Sequence, residues 1–227
     1  MAEADWTYCN DGLDIATVDR GSTAGIDPPE GGGDFCFAMN SLAAAVGAVA
    51  LYCNAANFAP AAKGASIRGA LQRGAGGGAT GFAPAIFAGL QGPSVDDFAY
   101  MLGLSDDDPH RIVLRKGTVL AGLAGADAPS VLRSSDDALV QGTWAHLRLD
   151  CITNDNGDVI LEAWRNTGPV HTPAWVPIPG MAQFIDDHLG INSGSQPYTS
   201  GRMGFAGRVA DVTRRMFFDQ IECIRQL

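Results

Sequence analysis

Two carboxylates spaced for acid–base work stand in the stretch "GTWAHLRLDCITNDNGDVILEAW", Gly142 to Trp164. It reads as two strands around a polar turn, and the register decides which residues meet. A two-residue Asn156-Gly157 turn would put Cys151 opposite Glu162 and mix buried with charged residues on both faces. A three-residue loop, Asp155-Asn156-Gly157, with Gly157 in the left-handed conformation, puts Cys151 opposite Leu161 and Leu149 opposite Ala163. A one-residue slip turns every side chain to the other face, so the apolar pattern selects the second register. The opposite face then holds Trp144, His146, Arg148, Asp150, Glu162 and Trp164.

That face suits two chemistries. Directly opposed strand residues have β-carbons ~5 Å apart, and retaining glycosidases hold their carboxyl groups ~5 Å apart. Asp150 and Glu162 meet that spacing, with Trp144 or Trp164 to stack a sugar. The same residues also suit binding without cleavage, with Arg148 opposite Trp164 for a cation–π contact. A solvated or inter-subunit face with no small ligand is the third reading.

The elements that must position these residues are β-strands. Segments of period two, bounded by Gly, Pro, Asn and Asp, dominate the chain. They include "GASIRGALQRG", "GFAPAIFAGLQG", "DFAYMLGLSDDDPHRIVLRKG", "SVLRSS", "GRMGFAGRV" and "RRMFFDQIECIRQL". Turn signals recur at the intervals of a sandwich or barrel. One segment departs from the pattern. In "PGMAQFIDDHLG", Met181, Phe184, Ile185, His188 and Leu189 follow helical spacing, with Gly190 placed as a cap, which predicts a short helix near 180–189. No long linker divides the 227 residues, so a single domain is expected over 1–227, with 1–63 the least patterned part and a loop excursion near 19–34.

Composition narrows the function classes. Acidic residues exceed basic ones by 25 to 15, a formal charge of −10, which opposes binding to a phosphate backbone. The start "MAEADWTYCNDGLD" has neither a basic n-region nor an apolar core, so no signal peptide is expected. The apolar run Leu42 to Cys53 falls short of the ~20 residues that span a bilayer. The 5 Cys are odd in number and widely spaced, without a Cys-x-x-Cys, and read as reduced, buried thiols. The glycine-rich "RGAGGGATG" and "EGGGDF" lack the Gly-Lys-Ser/Thr of a phosphate loop. "NDNGD" fails the EF-hand spacing and is first an Asx turn, with a loop calcium site as the other option. His110, His146, His171 and His188 are scattered. Neither metal nor cofactor is expected.

The hairpin, together with "GRMGFAGRVADVTRRMFFDQIECI", resembles the concanavalin A-like lectin/glucanase jelly roll. In that group a G-x-W-x-x-L-R strand pairs with a G-x-V-x-L strand, and a G-x-x-G-F…F-D-x-I pair closes the sandwich. Trp144, Leu147, Arg148, Gly157, Val159, Leu161, Gly204, Phe205, Phe218, Asp219 and Ile221 occupy those places. The E-x-D-x-E strand of the glucanase branch does not occur here. More narrowly, "GASIRGALQRG", "AYMLGLSDDDPHRIVLRKG" and "FIDDHLGINSGSQPYTSGRMGF" resemble jelly-roll structural proteins of tailed bacteriophages.

The resemblance implies an all-β, antiparallel jelly-roll sandwich. It implies a non-enzymatic virion protein on tail or capsid, assembled in the host cytoplasm in many copies as a homo-oligomer. Its partners would be other virion proteins and host-surface glycan. A glycan-active hydrolase using Asp150 and Glu162, or a free-standing lectin-like binder, is the alternative.

Overall fold

The computed structural model describes residues 6–10, 16–21, 36–41, 47–53, 64–73, 83–105, 110–123, 130–140, 142–190, 194–209 and 215–226. Most of the 19–34 excursion lies outside them. The strands are β1 (Trp6–Asn10), β2 (Ala16–Gly21), β3 (Cys36–Ser41), β4 (Gly47–Cys53), β5 (Gly64–Arg73), β6 (Ala83–Leu90), β7 (Phe98–Leu104) and β8 (His110–Thr118). After the one-turn helix α1 (Val119–Gly122) come β9 (Val131–Leu139), β10 (Ala145–Thr153), β11 (Val159–Asn166), β12 (Trp175–Pro177), β13 (Phe184–Asp186), β14 (Arg202–Val209) and β15 (Arg215–Gln226).

They form two antiparallel sheets. One has the order β1-β4-β14-β6-β7-β8-β9; the other runs β12-β11-β10-β5-β15-β3-β2, with β13 also pairing β11. The expected all-β sandwich is what forms. Alternation along each strand sends one set of side chains between the sheets. Ile67 and Leu71 of β5, Leu147 and Leu149 of β10, and Leu161 and Ala163 of β11 meet Ile86, Leu102, Leu114 and Phe205 of the facing sheet, all fully buried. A smaller cluster around Phe87, Met101, Val119 and Leu123 seals the far side of the first sheet under α1.

A buried ionic link crosses the sandwich. Lys116 Nζ lies 2.7 Å from Asp186 Oδ2 with both side chains inaccessible to solvent. The same nitrogen donates to the carbonyls of Ser195 (2.8 Å) and Gln196 (2.9 Å). Tyr100 donates its hydroxyl to Asp186 and accepts the amide of Tyr198. Burial and the Asp186 carboxylate push the Tyr100 phenol far above its ordinary range.

This link explains why the expected helix near 180–189 does not form. Residues 184–186 are instead a strand on β11, pairing Phe184 with Leu161 and Asp186 with Val159. Phe184 and Asp186 point inward while Ile185 is 43% exposed, a period of two. Gly180, at φ 76°, and the bond from the Met181 amide to Ile178 make a turn where a first helical turn was expected. Edge pairing and the Lys116 partner outweigh a weak local preference.

Candidate functional site

The hairpin has the register that its apolar pattern selects. Cys151 pairs with Leu161, Leu149 with Ala163, Arg148 with Trp164 and Asp150 with Glu162. Asn154 and Asp158 close the loop through an Asn154 N–H to Asp158 carbonyl bond of 3.0 Å. Gly157 sits at φ 86°, as the three-residue loop requires. Asn154 Oδ1 accepts the amides of Asn156 (3.0 Å) and Asp158 (2.9 Å), which is the Asx turn. Asp158 also accepts from the His188 amide (2.8 Å) and contacts its ring. The Asn154 side-chain amide, donating to Asp158 at 2.8 Å, and after it these His188 contacts lower the Asp158 pKa to about 2.

The site face is the outer face of the second sheet, and only its rim is wet. Arg148 grips Asp150 through both carboxylate oxygens, at 2.8 Å from Nε and 2.6 Å from the terminal nitrogen. The Asp150 side chain is 2% exposed. Arg148 also lies 5.8 Å above the Trp164 ring, the expected cation–π contact. Each Asp150 oxygen carries an Arg148 contact, so the carboxylate beside Glu162 is held in a fixed ion pair. Trp144 precedes β10 and is half-buried at the end of the row.

His146 is buried beneath the aromatic rim. The Trp175 ring packs edge-on to it at 4.8 Å. Its Nδ1 lies 3.0 Å from the Asn166 side-chain nitrogen. The orientation of that amide is fixed, because Asn166 Oδ1 accepts the backbone amides of Gly168 (2.9 Å) and Ala174 (2.7 Å). Its nitrogen also donates to the Gly168 carbonyl (2.7 Å). Nδ1 is therefore the acceptor, and the proton of the neutral ring sits on Nε2. Burial, reinforced by the Arg68 charge, lowers the His146 pKa to about 4.

Sheet order adds residues that the hairpin alone does not name. On β5, Ala70 pairs with His146, Arg68 with Arg148 and Ser66 with Asp150. Beyond them on β15, Asp219 pairs with Ala70 and Glu222 with Arg68. Arg68 donates its Nε to Glu222 at 2.7 Å. Asp219 and Glu222 are three apart and reach the same face only because a bulge lies between them. Gln220 takes φ 50° there. Trp175 enters through β12, which pairs with β11 at Asn166. These partners have no local signal, since they come from strands far apart in the chain.

Other candidates carry less. The cleft bordered by Tyr100, Cys151, Thr153, Val159 and Tyr198 has a volume of about 50 Å³. That admits a water or two. Among the described residues no three His, Cys, Asp or Glu side chains converge as metal ligands. No helix among them is long and apolar enough to cross a membrane.

The fold is one shared with solved β-sandwich proteins of the concanavalin A-like kind. The chain is similar to the carbohydrate recognition domain of Emp46p, with a TM-score of 0.53, 13% identity, and coverage of 99% of this chain and 89% of that one. It is also similar to a carbohydrate esterase of the Shiga toxin-encoding bacteriophage phi24B, at TM-score 0.52 and 14% identity over 98% and 90% of the two chains. A PL-14 alginate lyase from Aplysia kurodai superposes at TM-score 0.52 and 9% identity over 95% and 89%. No family model matches the chain, and no curated protein matches it in sequence. The expectation of a non-enzymatic protein is corrected by these neighbours. The same sandwich houses an esterase and a lyase, so the failure of familiar catalytic motifs does not establish that this chain is inert.

Proposed function

We propose that this protein binds carbohydrate on the outer face of its second sheet, between the Trp164–Trp175 rim and the Arg68–Arg148 row. One observation carries the reading: the face combines partly exposed aromatic rings with polar groups held rigid by their own partners. Aromatic faces stack the apolar side of a sugar ring, while fixed polar groups meet its hydroxyls. The recognition domain of Emp46p, built on the same fold, supports this reading. An immobilised array of neutral oligosaccharides tests it. The wild type is expected to bind a subset, and Trp164→Ala and Trp175→Ala each to lose about tenfold in affinity or more. A blank array, or full binding by both variants, rules this face out as a glycan site.

For the setting, we infer a tailed-phage virion in which the protein sits on tail or capsid as a symmetric homo-oligomer and meets host-surface glycan. The likeness of "GASIRGALQRG" and "FIDDHLGINSGSQPYTSGRMGF" to phage jelly-roll proteins supports this setting, and closed symmetry is the common route for virion components in many copies. Peptide mass spectrometry of gradient-purified particles should find the chain at stoichiometric level. Its absence from particles would sink this placement while leaving the glycan reading intact.

A further inference from the structure

One carboxamide organises the rim of the face. Asn166 ends β11 opposite Trp175, the first residue of β12, and residues 167–174 loop between them. Besides accepting the amides of Gly168 and Ala174 and donating to the Gly168 carbonyl, the Asn166 side chain donates to the Pro169 carbonyl at 3.2 Å. It therefore ties the start of the loop to its end. A Cβ on Gly168 would lie 3.1 Å from the Thr172 carbonyl oxygen, so the loop is wound closely about that centre. Its own burial is slight, since Thr167, His171, Thr172 and Ala174 are exposed. A segment of that kind opens locally at a low free energy, set by its few polar bonds.

The carboxamide is held in turn by His146, whose Nδ1 accepts from it and whose ring packs on Trp175. A proton on Nδ1 would set N–H against N–H. Turning the carboxamide over to offer its oxygen would release the Gly168 and Ala174 amides, so the loop loses bonds either way. The charged groups around His146 supply no other acceptor. Arg68 of β5 and Arg148 of β10 are cations, held by Glu222 and Asp150. Asp219 of β15 stands beyond Ala70, its carboxyl kept above its usual range by burial. Glu162 of β11 is opposite Asp150, Arg165 is paired with Asp137 of β9, and His171 is exposed in the loop.

Resting on the carbohydrate reading above, we propose that Asn166 is the positioning residue of this face: it seats loop 167–174 and Trp175 over the second sheet for as long as His146 Nδ1 accepts from it, and a proton on that nitrogen unseats them. Asn166 needs no contact with the sugar. It acts through the Trp175 ring, whose place on the rim depends on the loop being closed. The site is thereby coupled to acidity by one neutral imidazole beneath its rim.

Hydrogen exchange tests the seat without any sugar. A seated ring takes its proton only near pH 4, while a ring freed with the loop takes it near 6.5. From pH 7.5 to pH 5 the open population is expected to rise about thirtyfold, read as an equal fall in the protection factors of the Gly168 and Ala174 amides. Amides of β5 serve as the reference for global opening. In His146→Phe, which keeps a ring beside Trp175 but cannot titrate, loop protection should not change with pH. Asn166→Ala should abolish the protection of both amides. On the oligosaccharide array Asn166→Ala is expected to lose about tenfold in affinity, and Asn166→Ala/Trp175→Ala no more than Trp175→Ala alone. Should Asn166→Ala fail to fold, the pH response of the wild type against His146→Phe still decides.

Two results overturn the seat. One is loop protection that follows pH equally in the wild type and in His146→Phe. The other is wild-type protection and wild-type affinity in Asn166→Ala. A blank array with the expected exchange pattern removes the sugar and leaves the seat standing. Sugar binding with loop protection that ignores pH does the reverse.

Discussion

His146 is the residue whose surroundings most constrain its chemistry. Its pKa is lowered from 6.5 to about 4 in the folded chain. Between those values the unfolded chain binds the extra proton, so stability falls as the pH drops from about 6.5 to about 4. Above 6.5 the contribution is fully present. Thermal unfolding from pH 7.5 to 4 is expected to show this loss, and the His146→Phe variant a shallower slope. Equal slopes would mean that His146 is not buried neutral. Lys116 supplies a second residue-scale prediction. Lys116→Met leaves the Asp186 carboxylate buried without its cation, which costs about 3–5 kcal/mol. The double variant Lys116→Met/Asp186→Leu should lose less than the sum of the single variants in urea unfolding, since each removes the same link. Strict additivity would show that the two groups are not coupled.

At the element scale the β10–β11 hairpin is the part most legible in the chain. Alternating Leu147, Leu149, Cys151, Leu161 and Ala163 admits one register, and that register forms. Its loop depends on Gly157 at φ 86°, where a side chain is strained. Gly157→Ala should cost about 1 kcal/mol, and Asn154→Ala a similar amount through the lost Asx turn. Chemical denaturation checks both, and an unchanged midpoint for Gly157→Ala would contradict the loop assignment. Gly204 of β14 answers a different need: a Cβ there would overlap the Leu51 carbonyl of the neighbouring strand. Residues 180–190 mislead when read alone. Their apolar spacing fits a helix, yet Phe184 and Asp186 are pulled inward by β11 and Lys116, contacts made by distant strands.

For the whole molecule, cohesion comes from the core between the sheets rather than from surface charge. Arg165 and Asp137 join β11 to β9 across the edge of the sandwich at 3.1 Å, with side chains 37% and 51% exposed. Arg165→Gln is therefore expected to shift stability by no more than about 0.5 kcal/mol. A loss of several kcal/mol in calorimetry would mean that this edge contact holds the sheets together. The outer face is assembled only at this scale, since β12, β11, β10, β5 and β15 all contribute residues to it.

What the chain determines locally is the strand pattern, the hairpin register and one half of the site face. Apolar alternation and turn residues act between neighbours in sequence, and a half-buried strand has only one face to hide. Trp164 and Arg148 are therefore placed together by their positions along a single hairpin. Tertiary structure alone decides that Arg68 and Ala70 stand beside β10, that Trp175 covers His146, and that a bulge turns Asp219 and Glu222 to the same side. These depend on which strands become neighbours and on where one ladder slips. Such choices are set by the packing of the complete core, and no window of the sequence contains them.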